Sequence, residues 1–343
     1  MNKIPKMMRS WQMSAIGREQ LHLNDVPVPQ PPPGQVLVKV NAVALNYRDK
    51  MVIETGRGLP LGFPFTPGSD LSGEVISTGE NVKHLSIGDR VISTFTPDWT
   101  DGLRPGTGRT PAYRTLGGFY PGVLAEYVAM PEKWLVKAPK TLNDAEASTL
   151  PCAGVTAWFA LVERARVHAG NTVLIPSTGG VALFGLQIAK ANGAEVIISG
   201  RPENEQRAIA LGADHFIDKK REDWLEAVYE LTADRGANHV LEVIGGPHLA
   251  KAVQAVAVGG HICQIGALEG FELSAPAMPL MLKDVTIHGI GTGSRKALEN
   301  LVRAVDRKAI KPVIDTVYEF IDLFSALDHL DRGPFGKIVV KVA

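Results

Sequence analysis

The chain has 343 residues, more than one typical core holds, so its length suggests about two domains of roughly 150 residues each. With 45% hydrophobic and 21% charged residues it is neither disordered, collagenous nor a coiled coil, and with 36 basic against 36 acidic side chains no global field draws nucleic acid or an anionic membrane. Two cysteines, Cys152 and Cys263, are too few for a disulfide scaffold or a four-cysteine zinc site and fit a reducing cytoplasm.

Residues 1–17 carry Lys3, Lys6 and Arg9 without a following apolar run, which reads against a secretory signal. No stretch approaches the roughly 20 apolar residues of a membrane span. The expectation is a soluble, cytoplasmic protein. Residues 26–34, VPVPQPPPG, hold five prolines and predict an extended connector into a strand at 35–40, whose apolar residues alternate with period two. Similar short runs at 73–77, 90–92 and 126–130, punctuated by Gly68, Gly73, Gly79 and Gly88, predict an irregular, mostly antiparallel β domain over the first 150 residues. Residues 97–122, rich in Gly, Pro, Thr and Arg, read as a surface loop, a lid or contact arm.

From about residue 153 the pattern changes. Apolar runs at 172–176, 195–199, 215–217, 239–243, 261–265 and 285–288, the third the weakest, alternate at first with helical stretches at 181–191, 203–211 and 224–231. This predicts an α/β, doubly wound parallel sheet. A helix at 295–309 and a strand at 334–342 follow, the strand returning to the first domain. The domain reading is therefore 1–150 completed by 290–343, and 151–289.

The segment NTVLIPSTGGVALFGLQ at 171–187 runs from an apolar strand through a Gly-containing turn into a helix, whose free N–H groups and dipole suit a pyrophosphate. Ser177, Thr178, Gly179, Gly180 and Val181 are the candidate cradle. The first glycine of the G-x-G-x-x-G/A fingerprint is replaced by Ser177 after Pro176, so an ordinary strand-to-helix turn is the competing reading. The second strand ends Ser199-Gly200-Arg201 with no acid to bond a ribose 2′-hydroxyl. Arg201 can instead fork a 2′-phosphate, with Ser199 and Lys219 nearby, which favours NADP(H). The alternative is that Arg201 is a solvated charge.

Several separated motifs then coincide with a family. The segments GSDLSGEV at 68–75, GDRV at 88–91, AEYV at 125–128, LPCAGVTA at 150–157, TGGVA at 178–182 and ALGADH at 210–215 together resemble the medium-chain dehydrogenase/reductase superfamily. The resemblance implies a GroES-like β-rich catalytic domain plus a Rossmann domain, hydride transfer with the nicotinamide between them, and commonly a homodimer joined through the last Rossmann strand. Zinc-dependent members place a Cys where this chain has Asn46 and a His where it has Ser69. Cys152 alone sits where a third ligand would be, one thiol cannot make a catalytic zinc site, and residues 97–122 hold no cysteine for a structural zinc lobe. No metal is expected, and Cys152 reads as a small buried residue.

The segment 46–49 resembles that of zinc-independent, zeta-crystallin-like quinone and enoyl reductases. The resemblance implies that Tyr47 donates a hydrogen bond or proton, or alternatively only packs, and that Asn46 orients substrate or the nicotinamide amide. Arg48 pairs with Asp49 or with cofactor. It further implies that Thr156 approaches the nicotinamide, that Gly266 and Ala267 pass under its ribose, that Ile244 ends the fourth strand at the same edge, and that Lys337 reaches the site. Nine histidines show no metal-ligand spacing such as H-x-x-x-H. The expected function is NADPH-dependent hydride delivery to an activated C=O or C=C acceptor, quinone or enone. The alternatives are an NAD(P)-dependent alcohol dehydrogenase or ketone reductase, and a non-catalytic NADPH-binding protein.

Overall fold

The computed structural model describes residues 4–221, 223–308 and 310–343. The chain divides into two compact units, Met1–Ala153 with Ser294–Ala343, and Gly154–Gly293.

The first unit is built on a seven-stranded sheet. Its order is Ile314–Glu319, Lys337–Lys341, Gln35–Leu45, Asp70–Thr78, Arg90–Ser93, Leu135–Lys137, with Tyr127–Pro131 also pairing on Gln35–Leu45. Only Ile314–Glu319 and Lys337–Lys341 run parallel; the other pairs are antiparallel. A hairpin of Met7–Met13 and Leu21–Pro27 precedes it. The predicted strand at 35–40 extends to Leu45 because Ala-Val-Ala-Leu at 42–45 is buried on both faces, which breaks the alternation a sequence reading follows. Gly73 allows the close approach of that neighbour, since a Cβ there would lie 2.2 Å from the Lys39 carbonyl oxygen. Val36, Val38, Val40, Leu71, Val75, Val91 and Ile338 meet Leu323 and Leu327 in the core, each contributing about 1.5–3 kcal/mol by leaving water.

Residues 97–122 are irregular, as expected of a loop, but their ends are anchored: Trp99 and Leu116 are buried, and the Arg104 guanidinium lies 4.3 Å from the Trp99 ring centroid. The helix expected at 295–309 forms as Arg295–Lys308, and Ala309 lies outside the described residues.

The second unit is a six-stranded, wholly parallel sheet ordered His215–Asp218, Glu195–Gly200, Thr172–Ile175, Ala237–Glu242, Val256–Gln264, Thr286–Gly289. Numbered along this sheet the order is 3-2-1-4-5-6, the dinucleotide-fold order, and it reverses between Thr172–Ile175 and Ala237–Glu242. Thr172–Ile175 is buried throughout, as a strand covered on both faces must be. The fifth strand starts at Val256 rather than 261 because Gly259 and Gly260 interrupt its apolar run. The helix expected at 203–211 is a 3-10 turn, Pro202–Asn204, followed by Glu205–Ala210.

Candidate active site

In the first unit, strand register gathers a polar cluster. The antiparallel pairs Ile338 with Leu45 and Asp70 with Ala44 place Lys337, Asn46 and Ser69 at one end of the sheet. All are buried, as are Asp49 and Asp70. Lys337 Nζ donates to Asn46 Oδ1 at 2.6 Å and to the Leu45 carbonyl at 2.5 Å. Asn46 Nδ2 donates to Ser69 Oγ at 3.3 Å, and Ser69 Oγ donates to Asp70 Oδ1 at 2.6 Å. Asp70 Oδ2 accepts from the Cys152 amide at 3.0 Å. Asn46 caps the helix Tyr47–Thr55, its own amide donating to Asp49 Oδ2 at 2.9 Å.

Two of the residues expected at the cofactor are bonded within the first unit. Lys337, expected to reach the cofactor, is 5% exposed and spends its donors on Leu45 and Asn46. Arg48, expected to pair with Asp49 or with cofactor, makes the first of these contacts, Nη1 lying 3.4 Å from Asp49 Oδ1; Nη1 also donates to the carbonyls of Leu116 and Gly117 and Nη2 to Thr115 Oγ1, and the guanidinium lies 5.1 Å from the Phe95 centroid. The cause is the demand of buried carbonyls for a multivalent donor. It ties the 115–117 segment to the helix start. Tyr47 is 44% exposed, and its hydroxyl has no hydrogen bond among the described residues. Burial of the sulfur pushes the Cys152 thiol up, while the residue, expected to be buried, is of intermediate exposure.

Burial pushes Asp70 up to about 6, against the pull of Lys337 and the Ser69 and Asn46 hydrogen bonds and with the push of Asp49. Burial likewise raises Asp49, which Arg48 pulls back. For Asp70 the folded value exceeds the ordinary 3.8, so the folded state keeps a proton that the unfolded chain has lost. That contribution is complete below pH 3.8 and is lost as pH rises through 6, a swing of about 3 kcal/mol. His239 in the second unit has the opposite sign: burial first, then His261, pushes it down from 6.5 to about 4, so its contribution is present above pH 6.5 and lost as pH falls through 4. Calorimetry between pH 4 and 7 should therefore show acid favouring the first unit and disfavouring the second. Asp70→Asn should flatten the first trend and leave the second; an unchanged first trend would contradict this origin.

In the second unit the residues expected at the cofactor gather at the carboxyl ends of the strands. Ser177, Thr178 and Gly179 join Thr172–Ile175 to the helix Gly180–Ala191, with Gly180 and Val181 in its first turn. Ser177 Oγ accepts from the Gly179 amide at 3.2 Å. A Cβ on Gly179 would meet only that Oγ, at 3.6 Å, so the backbone stands open to a ligand. Asn204 Nδ2 donates to Thr178 Oγ1 at 2.9 Å, linking the turn to the end of the second strand. There Ser199 is buried, Arg201 is exposed, and Lys219, exposed, donates its amide to the Gly200 carbonyl at 2.9 Å. Thr156 is buried in the short helix Val155–Trp158, which packs against Gly180–Ala191.

Ile244, Gly266 and Ala267 follow the fourth and fifth strands, and their backbones touch: a Cβ on Gly266 would lie 2.0 Å from the Val243 carbonyl carbon. The organiser is a residue the sequence reading missed. Glu242, fully buried at the end of its strand, accepts from the Ile244 and Gly245 amides at 2.8 and 3.0 Å and pairs with His248 Nδ1 at 2.6 Å. His248 stacks on Trp224 with centroids 5.9 Å apart. An acid closing an otherwise apolar strand was the available signal, since acids are seldom fully buried without partners.

The histidines also meet where spacing did not suggest it. His239, His261 and His288 stack across three neighbouring parallel strands, with centroids 5.5 and 5.2 Å apart and His261 Nδ1 3.0 Å from His288 Nε2. Even so, among the described residues no group of three or more His, Cys, Asp or Glu is placed to hold a metal ion.

Comparison with known proteins matches both units. The alcohol dehydrogenase GroES-like domain family matches residues 32–140, and the zinc-binding dehydrogenase family matches residues 180–307. A zinc-type alcohol dehydrogenase-like protein of Schizosaccharomyces pombe is 37% identical over 336 residues, covering 95% of this chain and 96% of that one. A chloroplastic quinone oxidoreductase of Triphysaria versicolor is 33% identical over 357 residues, covering 98% and 99%. The crystal structure of a Sinorhizobium meliloti 1021 protein, provisionally assigned as an alcohol dehydrogenase, is 57% identical, with a TM-score of 0.97 over 99% of this chain and 100% of that one. Full-length identity at this level, joined to a GroES-like β domain and a 3-2-1-4-5-6 parallel sheet, makes this chain an oxidoreductase of the medium-chain dehydrogenase/reductase superfamily.

Proposed function

We propose that this oxidoreductase uses NADPH, without zinc, to reduce an activated C=O or C=C acceptor of the quinone or enone class. The observation that carries the reading is the donor set at the catalytic helix: Asn46 and Ser69 stand at the positions of metal ligands in zinc-dependent relatives, and the Lys337 ammonium rests on Asn46. Amide and hydroxyl oxygens beside a fixed cation do not suit zinc, which prefers thiolate, imidazole and carboxylate. The same groups suit an uncharged acceptor. Asn46 Nδ2 donates to the acceptor oxygen and stabilises the negative charge that builds there.

When bound, the nicotinamide cofactor supplies a hydride, and quinone, hydride and one proton give the hydroquinone monoanion's conjugate acid. Tyr47, exposed in the first turn of its helix, supplies that proton. The open backbone at residues 177–180 would hold the pyrophosphate, and Ser199, Arg201 and Lys219 the 2′-phosphate.

The test is NADPH consumption by the purified chain against a naphthoquinone, an enone, an enoyl thioester and a simple ketone. Turnover of the first two is expected to exceed the ketone at least tenfold. Tyr47→Phe should lower kcat by about tenfold or more. A preference for the ketone would move the assignment to alcohol dehydrogenase, and a fully active Tyr47→Phe would remove Tyr47 as the acid.

A further inference from the structure

We propose that Lys337 is a positioning residue for Asn46: its ammonium locks the Asn46 amide in the one orientation that offers an N–H to the acceptor oxygen. This rests on the reading above, in which Asn46 holds that oxygen.

An asparagine amide is nearly symmetric in shape, so only its neighbours decide which end is oxygen and which is nitrogen. Here two independent neighbours agree. Lys337 Nζ can only donate, so the end facing it at 2.6 Å is Oδ1. Ser69 spends its single hydroxyl hydrogen on Asp70, so its oxygen must accept, and the end facing it at 3.3 Å is Nδ2. Nδ2 carries two hydrogens. In the resting site Nδ2 donates to Ser69 and also bonds to Asp70, so the acceptor oxygen takes the place of one of these partners. A flipped amide would face Lys337 with an NH2 group and present the reacting oxygen with another oxygen.

The backbone holds Lys337 to this task. Lys337 follows Gly336, whose φ of +97° and whose Cβ position, 2.4 Å from the Val313 carbonyl oxygen, no other residue tolerates. It opens the strand whose next residue, Ile338, pairs with Leu45, so the side chain starts beside Asn46. The second contact, to the Leu45 carbonyl at 2.5 Å, keeps Nζ from swinging toward Asp70. An ammonium on Oδ1 also polarises the amide and strengthens Nδ2–H as a donor, as chained hydrogen bonds do. Charge balance holds inside the cluster: Lys337 and Arg48 face Asp49 and Asp70.

The experiment uses the full chain as wild type, Lys337→Met, Asn46→Ala and the double variant. The first readout is the side-chain amide signal pair of Asn46 in protein labelled with 15N-asparagine, assigned by its loss in Asn46→Ala. Lys337→Met is expected to shift or broaden that pair while NADPH affinity, read by fluorescence, stays within about threefold. The second readout is kcat with NADPH and a naphthoquinone. Each single variant should lose about 100-fold, the scale of removing one such donor, and the double variant no more than about threefold beyond that.

An unmoved Asn46 signal in Lys337→Met, or losses that multiply to about 10⁴-fold in the double variant, would overturn the proposal. A weakened NADPH affinity with unchanged kcat would also overturn it, because Lys337 would then serve the cofactor. Should Lys337→Met fail to fold, Lys337→Met with Asp70→Asn restores the charge balance and carries the same readouts. If the wild type reduces neither quinone nor enone, the functional reading fails while the amide signal still decides the role of Lys337.

Discussion

Glu242→Ala is expected to lower the unfolding midpoint of the Gly154–Gly293 unit by about 10 °C. The carboxylate is fully buried and accepts from two backbone amides and His248, so its removal leaves several buried donors without a partner. Leaving a buried donor without its partner costs about 1–3 kcal/mol, more than one donor is left here, and each kcal/mol moves the midpoint of a unit this size by roughly 2–4 °C. The loss also reaches function. The carboxyl group fixes the Ile244 and Gly245 amides, and Leu268 donates to the Ile244 carbonyl, so the loop after the fifth strand is tied to the Glu242 side chain through Ile244, while the Ile265 and Gly266 amides keep their acceptor, the backbone carbonyl of residue 242. NADPH should therefore bind the variant more weakly, while the first unit melts as in the wild type. Calorimetry that finds both midpoints within 2 °C of wild type would contradict the anchoring role.

The second large effect concerns cofactor choice. Arg201→Ala should reduce kcat/KM for NADPH by about 10- to 100-fold and leave NADH within about twofold, because a hydrogen bond to a charged group contributes about 1.5–3 kcal/mol and NADH has no 2′-phosphate. Arg201 is exposed at the end of its strand, beside the buried Ser199 and across from Lys219, whose amide bonds to Gly200. No acidic side chain follows that strand before Glu203. Parallel measurements with both cofactors decide it: a wild type that prefers NADH, or equal losses with both cofactors, would reassign Arg201 to a general surface role.

The nucleotide unit was legible because its central strands, Thr172–Ile175, Glu195–Gly200 and Ala237–Glu242, are buried almost throughout and read as apolar runs. Even the weak third run, His215–Asp218, forms where expected. The first unit was less so. Met7–Met13, Leu21–Pro27, Leu135–Lys137 and Ile314–Glu319 are short or half-exposed, and no local period marks them. Asn46 and Tyr47 could be singled out from their segment, but what surrounds Asn46 could not. Lys337 lies 291 residues away and reads locally as a charge opening a terminal strand. Only the antiparallel register with Leu45 turns it inward. The pairing of Arg48 with Asp49 was legible from their adjacency, but its partners at 115–117 were not, since they come from a loop with no periodicity. The histidine stack depends on three strands in parallel register, which spacing along the chain does not encode.

In the proposed reaction an amide, held by a lysine, does the work that a metal does in zinc-dependent relatives. This is tested most directly by NADPH oxidation with a naphthoquinone, using chelator-treated protein whose zinc content has been measured. Full turnover is expected at less than about 0.1 zinc per chain, unchanged when zinc is added back, with a loss of about 100-fold in Asn46→Ala. Activity that tracks zinc content, or an Asn46→Ala variant as active as the wild type, would contradict it.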